Sequence, residues 1–378
     1  MKKVLAWVLC LMLTLGMVSV ASAEFAPVNK DDVKVGFVFI GDVSDKGYTY
    51  AHYQGLLDMQ KNLGLSDDQI LIKTNVSEDS SCESALLELV EAGCQIIFGN
   101  SYGYMNYMAE LADEYPEVIF SHCSGYMSNE TNFNNYFGAI YQARYLAGIA
   151  AGLKTQTNKI GFVAAMQTPE VIGGFDAFAL GVQSVNPDAV VYVKYTNTWY
   201  DATLERQTAD ALLDLGCDVI GQHCDTANPQ IAAQERGVWG CGYNADMTVD
   251  APKAHLVAPV WNWGAVYTKE VQEVIDGTWK PENIFLTMAD GLVGLSPLSE
   301  NCAEGTAEAI EAAREKIVSG EFDVFEGPLY DNQGNQILDE NSCFVSDIEN
   351  TSAKAGERIT PAFIAGELTF VVKGVEIQ

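Results

Sequence analysis

Ala85-Leu86-Leu87-Glu88-Leu89-Val90-Glu91-Ala92-Gly93-Cys94-Gln95-Ile96-Ile97-Phe98-Gly99-Asn100 is answered later in the chain by Ala211-Leu212-Leu213-Asp214-Leu215-Gly216-Cys217-Asp218-Val219-Ile220-Gly221-Gln222. Each copy reads as an amphipathic helix, a Gly-Cys junction, and a short apolar strand that stops at Gly plus an amide side chain. A helix feeding a buried parallel strand is half of a βαβ unit. Two such units far apart in one chain predict two similar α/β lobes. Open α/β sheets bind ligands beyond the carboxyl ends of their strands, so the repeat points to a cleft between the lobes.

The pattern extends outward from both copies. In the first lobe, Val35–Ile40 reads as a buried strand, Tyr48–Leu63 as a helix, and Ile70–Lys73 as a second strand. A helix from Cys82, the strand at Ile96, a helix over Met105–Tyr115 and a strand over Val118–Phe120 complete a βαβαβαβ order, which predicts a parallel sheet with right-handed crossovers. The second lobe repeats it: helix Gln142–Leu153, strand Lys159–Val163, helix Gly174–Ser184, strand Val190–Val193, helix Thr203–Leu215 and strand Val219–Ile220. Pro229–Arg236 and Val238–Gly240 come next, then a strand over Ala254–Val260 and a helix over Val266–Ile275. Lobe one is therefore expected to take residues 33–140 plus about 250–280. Lobe two takes 141–248 plus about 282–330, with a helix over Thr306–Val318. Residues 331–378 form a C-terminal segment without a clear place. No low-complexity linker occurs, so several chain crossings are expected to join the lobes.

Residues 1–23 have the form of a secretory signal peptide: Lys2-Lys3, an apolar run from Val4 to Val20, and Ala21-Ser22-Ala23 before Glu24. Cys10 follows Leu9 inside the apolar run, which does not suit lipid attachment. The protein is therefore expected to be periplasmic or otherwise extracytoplasmic, with no membrane insertion after cleavage. The chain has 21 basic and 51 acidic residues, a net charge of -30. That sign argues against nucleic acid and anionic lipid as partners, since phosphate contacts need Lys and Arg. It does not exclude small ligands, because a local site can differ from the global field. Cys94 and Cys217 read as small core residues of their own lobes, and Cys302 and Cys343 can pair only if their segments meet.

Enzyme chemistry finds little support. No H-E-x-x-H, G-x-S-x-G or Walker A pattern occurs. His122-Cys123 and His223-Cys224 follow strands in opposite lobes and would offer His/Cys donors to zinc if they faced each other; a neutral His at a strand end beside a buried Cys explains the same residues. No cofactor and no metal is expected. The stronger pattern is aromatic and polar residues gathered at strand ends: Asp45 and Tyr48 after the first strand, Asn100 and Tyr102 after the repeated strand, Trp199, then Gln222, His223 and Asp225, and later Trp261-Asn262-Trp263. Aromatic faces stack on flat rings, while carboxylates and amides read donors and acceptors at a ring edge. Capping offers a plain alternative for Asp45, and core packing one for Trp263.

These residues also carry a resemblance. Asp45-Lys46-Gly47-Tyr48, Tyr145-Leu146-Ala147-Gly148-Ile149-Ala150-Ala151, Lys159-Ile160-Gly161-Phe162-Val163 and Trp199-Tyr200-Asp201, in that order, are similar to the basic membrane protein (BMP) family of ABC-transporter substrate-binding proteins, the PnrA-like group, over Val33–Gly334. The resemblance implies the type I periplasmic binding fold, two Rossmann-like lobes with parallel sheets and a ligand cleft, and a membrane permease as partner. It also implies that Tyr48 and Trp199 sandwich a purine. Where the family usually has Phe-Asn-Asp, this chain has Val43-Ser44-Asp45. Ribose-gripping members carry an Asp after Gly-Val and a Lys after a later strand; here those places read Gly242-Tyr243-Asn244 and Val260-Trp261-Asn262. The expectation is thus a purine base, adenine-like, with Trp261 filling the sugar space, Asp225, Asp45 and Asn244 on the ring edge, and Asn100, Tyr102 and Trp261 shaping the walls. A purine nucleoside, a sugar or other flat ligand, a ligand-sensing receptor subunit, and a nucleoside hydrolase are the alternatives.

Overall fold

A computed structural model describes residues 25–378. The signal-peptide expectation falls on 1–23, outside the described residues. In chain order the strands are β1 (Val35–Val38), β2 (Ile70–Lys73), β3 (Ile96–Gly99), β4 (Ile119–His122), β5 (Phe133–Gly138), β6 (Lys159–Ala164), β7 (Val190–Tyr195), β8 (Val219–His223), β9 (Trp239–Cys241), β10 (His255–Val257), β11 (Pro259–Trp261), β12 (Ile284–Leu286), β13 (Val293–Leu295), β14 (Leu329–Tyr330), β15 (Gln336–Leu338) and β16 (Val375–Ile377). The helices are α1 (Tyr48–Leu63), α2 (Ser80–Glu91), α3 (Met105–Glu114), α4 (Ile140–Lys154), α5 (Pro169–Val185), α6 (Ala202–Asp214), α7 (Asn228–Glu235), α8 (Trp263–Asp276), α9 (Thr306–Ser319) and α10 (Pro361–Gly366).

Two six-stranded sheets result, in the orders β12-β5-β4-β3-β1-β2 and β10-β9-β8-β6-β7-β16. All their pairings are parallel. The repeated stretches occupy matching places: β3 and β8 each lie beside the first strand of their lobe. Their junction glycines, Gly93 and Gly216, sit at φ 83° and 90°, the left-handed conformation that reverses a chain after a helix and that a Cβ disfavours. Cys94 and Cys217 follow, both buried. Asp79 and Asp201 cap α2 and α6 by accepting from backbone N–H groups of the first turn.

The Ala/Gly-rich reading of α4 has a packing reason. Nearly the whole helix is buried, and it crosses α5 with almost no space between backbones. A Cβ on Gly148 would stand 2.0 Å from the Phe178 carbonyl oxygen, and one on Gly181 1.9 Å from that of Tyr145.

The structure corrects the lobe boundaries. The expected single strand Ala254–Val260 is two: β10 closes the lobe-two sheet, whereas β11 pairs antiparallel with β13 in a separate two-stranded ribbon. Pro259, which has no N–H to donate, interrupts the parallel ladder, and beyond it a single parallel bridge from Val260 to Asn244 remains. Residues 255–257 thus belong to lobe two, and lobe one resumes at α8, which packs on α1. Ile284–Leu286, expected in lobe two, pairs with Phe133–Gly138 of lobe one. The C-terminal segment has a fixed place: β16 adds a parallel edge strand beside β7, and α10 packs on α5. The chain crosses between lobes at β5–α4, around β11, and between β12 and β13.

Beneath the lobe-one sheet, Glu270 of α8 is fully buried. Asn134 donates to one carboxylate oxygen at 2.8 Å, and the other has no hydrogen-bond partner. Burial pushes its carboxyl from 4.5 up to about 7. An acid with a raised folded pKa binds its proton more tightly folded than unfolded, so stability falls as pH rises from 4.5 to 7 and levels off above. Glu270→Gln keeps the acceptor for Asn134 and removes the charge. We expect its stability at pH 8 to exceed the parent's by on the order of 3 kcal/mol, with the difference vanishing near pH 4.5. Urea unfolding at several pH values checks this, and parallel stability curves would contradict it.

Candidate functional site

The site forms where the carboxyl ends of both sheets face each other. Its enclosed volume is about 30 Å³, far below the about 300–1,000 Å³ of ligand-filled pockets, so a ring-sized ligand needs the lobes to part further than they do here. Lobe one contributes Ile40, Tyr48, Asn100, Ser101, Tyr102 and Ser124; lobe two contributes Glu170, Trp199, His223, Asp225 and Tyr243; Phe137 stands at the crossing. The lobes are in contact. A Cβ on Gly47 would stand 1.9 Å from the Asp225 carbonyl oxygen.

Tyr48 opens α1 at the end of the loop after β1. Its hydroxyl donates to the Asn100 carbonyl at 2.7 Å and lies 3.5 Å from the Cys123 thiol; burial raises the pKa of both groups. Trp199, from the loop after β7, is half-buried, with its ring 6.4 Å from that of His223. Asn100 accepts from the Ile40 N–H at 3.0 Å, while its amide nitrogen is buried without a partner. His122 steadies the lobe-one wall: Nε2 donates to the Ser101 carbonyl at 2.7 Å, and Nδ1 accepts from the Gly125 N–H at 3.3 Å. Burial lowers its pKa to about 4, so the ring is neutral at pH 7. Tyr102 stands at the rim, 43% exposed.

Lobe two carries the charges. Asp225 is buried at the end of β8. Burial raises its carboxyl well above the ordinary range, reinforced by the negative charges of Asp45, Glu205 and Glu170 and opposed by the Asn244 amide. His223 Nε2 lies 3.3 Å from a Glu170 carboxylate oxygen. Burial, then the nearby Arg144, lowers the pKa of that imidazole. Arg144 is itself buried, donates to the Gln222 carbonyl at 2.7 Å, and lies over the Tyr243 ring with its guanidinium carbon 3.7 Å from the centroid.

Six of the ten expected residues line this space: Tyr48, Trp199, Asp225, Asn100, Tyr102 and His223. The other four stand behind it. Asp45 caps α1, accepting from the N–H groups of Gly47, Thr49 and Tyr50 at 2.8, 2.9 and 2.9 Å. Gln222 donates to the Cys224 and Thr226 carbonyls at 3.1 and 2.7 Å and shapes the loop that carries Asp225. Asn244, in the left-handed region at φ 68°, flanks Asp225 from outside the wall. Trp261 does not line the space: it stacks on Trp263 at 4.3 Å and stands behind the wall residues Phe137, 5.1 Å away, and Tyr243. Asn244 and Trp261 line a separate groove with Asn262 and Tyr50.

Sequence reasoning missed Glu170, Tyr243, Phe137, Ser124 and Ile40 as site residues, and placed Ser101 at the cleft only as part of the stretch after the repeated strand. For Glu170 a signal existed. Thr168-Pro169-Glu170 is a helix start, with Pro at N1 and an acid in the first turn, but the helix was expected only from Gly174. The facing His-Cys pairs do not form a metal site; among the described residues no group of three or more His, Cys, Asp or Glu side chains is arranged to hold a metal ion. Cys302 and Cys343 are both free thiols.

Two parallel-sheet lobes, three crossings and a small interlobe cavity define a two-lobed solute-binding protein of the type I periplasmic binding fold. The family profile described as "ABC transporter substrate-binding protein PnrA-like" matches residues 32–326, and the chain belongs to that family. It is 34% identical to a purine-binding protein of Brucella abortus over 92% of this chain and 94% of the relative. It is 33% identical to a putative ABC transporter glucose-binding protein of Haloferax volcanii over 85% and 82%. A solute-binding protein of an ABC transporter system from Aeropyrum pernix superposes with a TM-score of 0.68 at 20% identity, covering 77% of this chain and 92% of that one; this shows the shared fold. Proteins of this family bind a small solute outside the cytoplasm and hand it to a membrane permease. Among the described residues no helix is long and apolar enough to cross a membrane.

Proposed function

We propose that the protein captures a purine base in the periplasm and delivers it to the permease of an ABC importer. The observation that carries this reading is the pairing of Tyr48 and Trp199, one from each lobe, on a single small cavity. A planar heterocycle between them gains stacking contacts from both sides. The buried Asp225 carboxyl supplies an acceptor oxygen for ring N–H or amino groups, and the unpartnered Asn100 amide supplies a donor. The ligand favours closure because only the closed form lets it touch both lobes. Asn244, where ribose-gripping relatives have a carboxylate, supports a base over a nucleoside.

The names of the two relatives above divide between purine and glucose, and aromatic faces also stack on sugars. Titration calorimetry with adenine, guanine, hypoxanthine, adenosine and glucose separates the readings. We expect a free base to bind tightest. Adenosine binding far more tightly than any base would overturn the base reading in favour of a nucleoside, and glucose alone binding would overturn the purine reading. Adenosine left unchanged after long incubation is the expected result for a carrier, and its cleavage to base and ribose would make the protein an enzyme.

A further inference from the structure

Beside the ring site lies a larger, mostly apolar compartment of about 550 Å³. The two spaces share Tyr102, Ser124, Phe137, Glu170 and Trp199, so they adjoin at these side chains. The far side is formed by Ile284 and Phe285 of β12 and by Pro361, Ala362 and Ala365 of α10. The helix α10 falls outside the family match at 32–326. It is anchored firmly: the Thr360 hydroxyl accepts from the Phe363 N–H at 3.2 Å, and Phe363 and Ile364 are buried. Ile364 rests over Gly173 of α5, where a Cβ would stand 3.0 Å away. The large side chains of α10 therefore turn inward, and its two alanines line the compartment.

A bare base in the ring site leaves this compartment to water, against the apolar surfaces of Phe137, Phe285 and the alanines. An apolar group extending from the ring would displace that water favourably. At the junction stands Glu170, a carboxylate placed to accept a hydrogen bond. An exocyclic secondary amine offers one N–H to such an acceptor while carrying its substituent onward. The compartment shares no residue with the groove of Asn244, Trp261 and Asn262, so it is separate from the positions that the family resemblance links to a sugar.

We propose that this compartment is a second subsite, and that the preferred ligand is an aminopurine bearing an apolar group on its exocyclic nitrogen. The proposal rests on the purine reading above and extends it. Calorimetry with adenine and 6-benzylaminopurine tests it on the parent and on Ala362→Trp, an exposed position of α10. The parent is expected to bind the benzylated base at least about tenfold more tightly than adenine. Ala362→Trp is expected to abolish that gain and leave adenine affinity unchanged. Ala365→Phe serves as a second filling variant should the first lose its thermal transition. Equal affinity for the two bases in the parent overturns the subsite, as does a gain that survives both filling variants. Failure of every purine to bind is a different outcome: it overturns the purine reading itself.

Discussion

Trp199→Ala is expected to weaken purine binding by about 5- to 150-fold, the range set by about 1–3 kcal/mol per stacked base. The indole is half-buried in a loop after β7, so removing it takes a plate from the cavity without removing a pillar of the core. The melting temperature of the ligand-free protein should therefore move little. Tyr48 is less suited to truncation, because its hydroxyl ties α1 to the end of β3 through the Asn100 carbonyl. Tyr48→Phe keeps the ring and tests the stacking role from the other lobe: affinity should stay close to the parent's. Calorimetry decides both. Unchanged affinity in Trp199→Ala would show that the ligand does not lie between the two rings.

Gly47→Ala tests closure instead of contact. In the closed arrangement a methyl group at this position meets the Asp225 carbonyl oxygen at 1.9 Å. A backbone atom cannot step aside as a flexible side chain can, so the lobes must stop short by more than an ångström. Each lobe alone has room for the methyl, because the obstacle belongs to the other lobe. We expect affinity to fall on the order of 100-fold or more, with the ligand-free melting temperature close to the parent's. Small-angle scattering at saturating purine should show the variant failing to contract where the parent does. Full contraction with parental affinity would place the closed form elsewhere than in this structure.

The sequence revealed the fold through its most regular parts. The duplicated helix–Gly-Cys–strand units defined both sheets, and Tyr48–Leu63 was read with its observed limits because Gly64 ends it in a left-handed turn, at φ 63°. What stayed hidden depends on partners distant in sequence. Phe133–Gly138 has polar residues such as Asn134 and Asn135 in its middle and does not read as a strand; it is one because Asn134 finds Glu270 and its neighbours find β4 and β12. Ala254–Val260 reads as one apolar run, and only the proline at 259 hints that it serves two sheets. At the site, most residues were found because they follow strands, while the pairing of Tyr48 with Trp199 and the choice of Asn244 came from the family resemblance. Trp261 obeyed the rule and still missed the cavity, because an indole that stacks on Trp263 and packs at a tilt against Phe137 sits behind its wall. Glu170 and Tyr243 escaped because one opens a helix whose start was misjudged and the other lies in a loop that only the packed lobe brings inward.

The ribbon of β11 and β13 belongs to neither large sheet, yet two of the three crossings run through or beside it. A paired ribbon resists shear along its length and yields most easily to bending across it. Opening should therefore resemble a book turning on its spine, with the page edges parting widest. A disulfide stapling the ribbon would leave that swing intact, whereas one between the page edges would lock it shut with whatever it held.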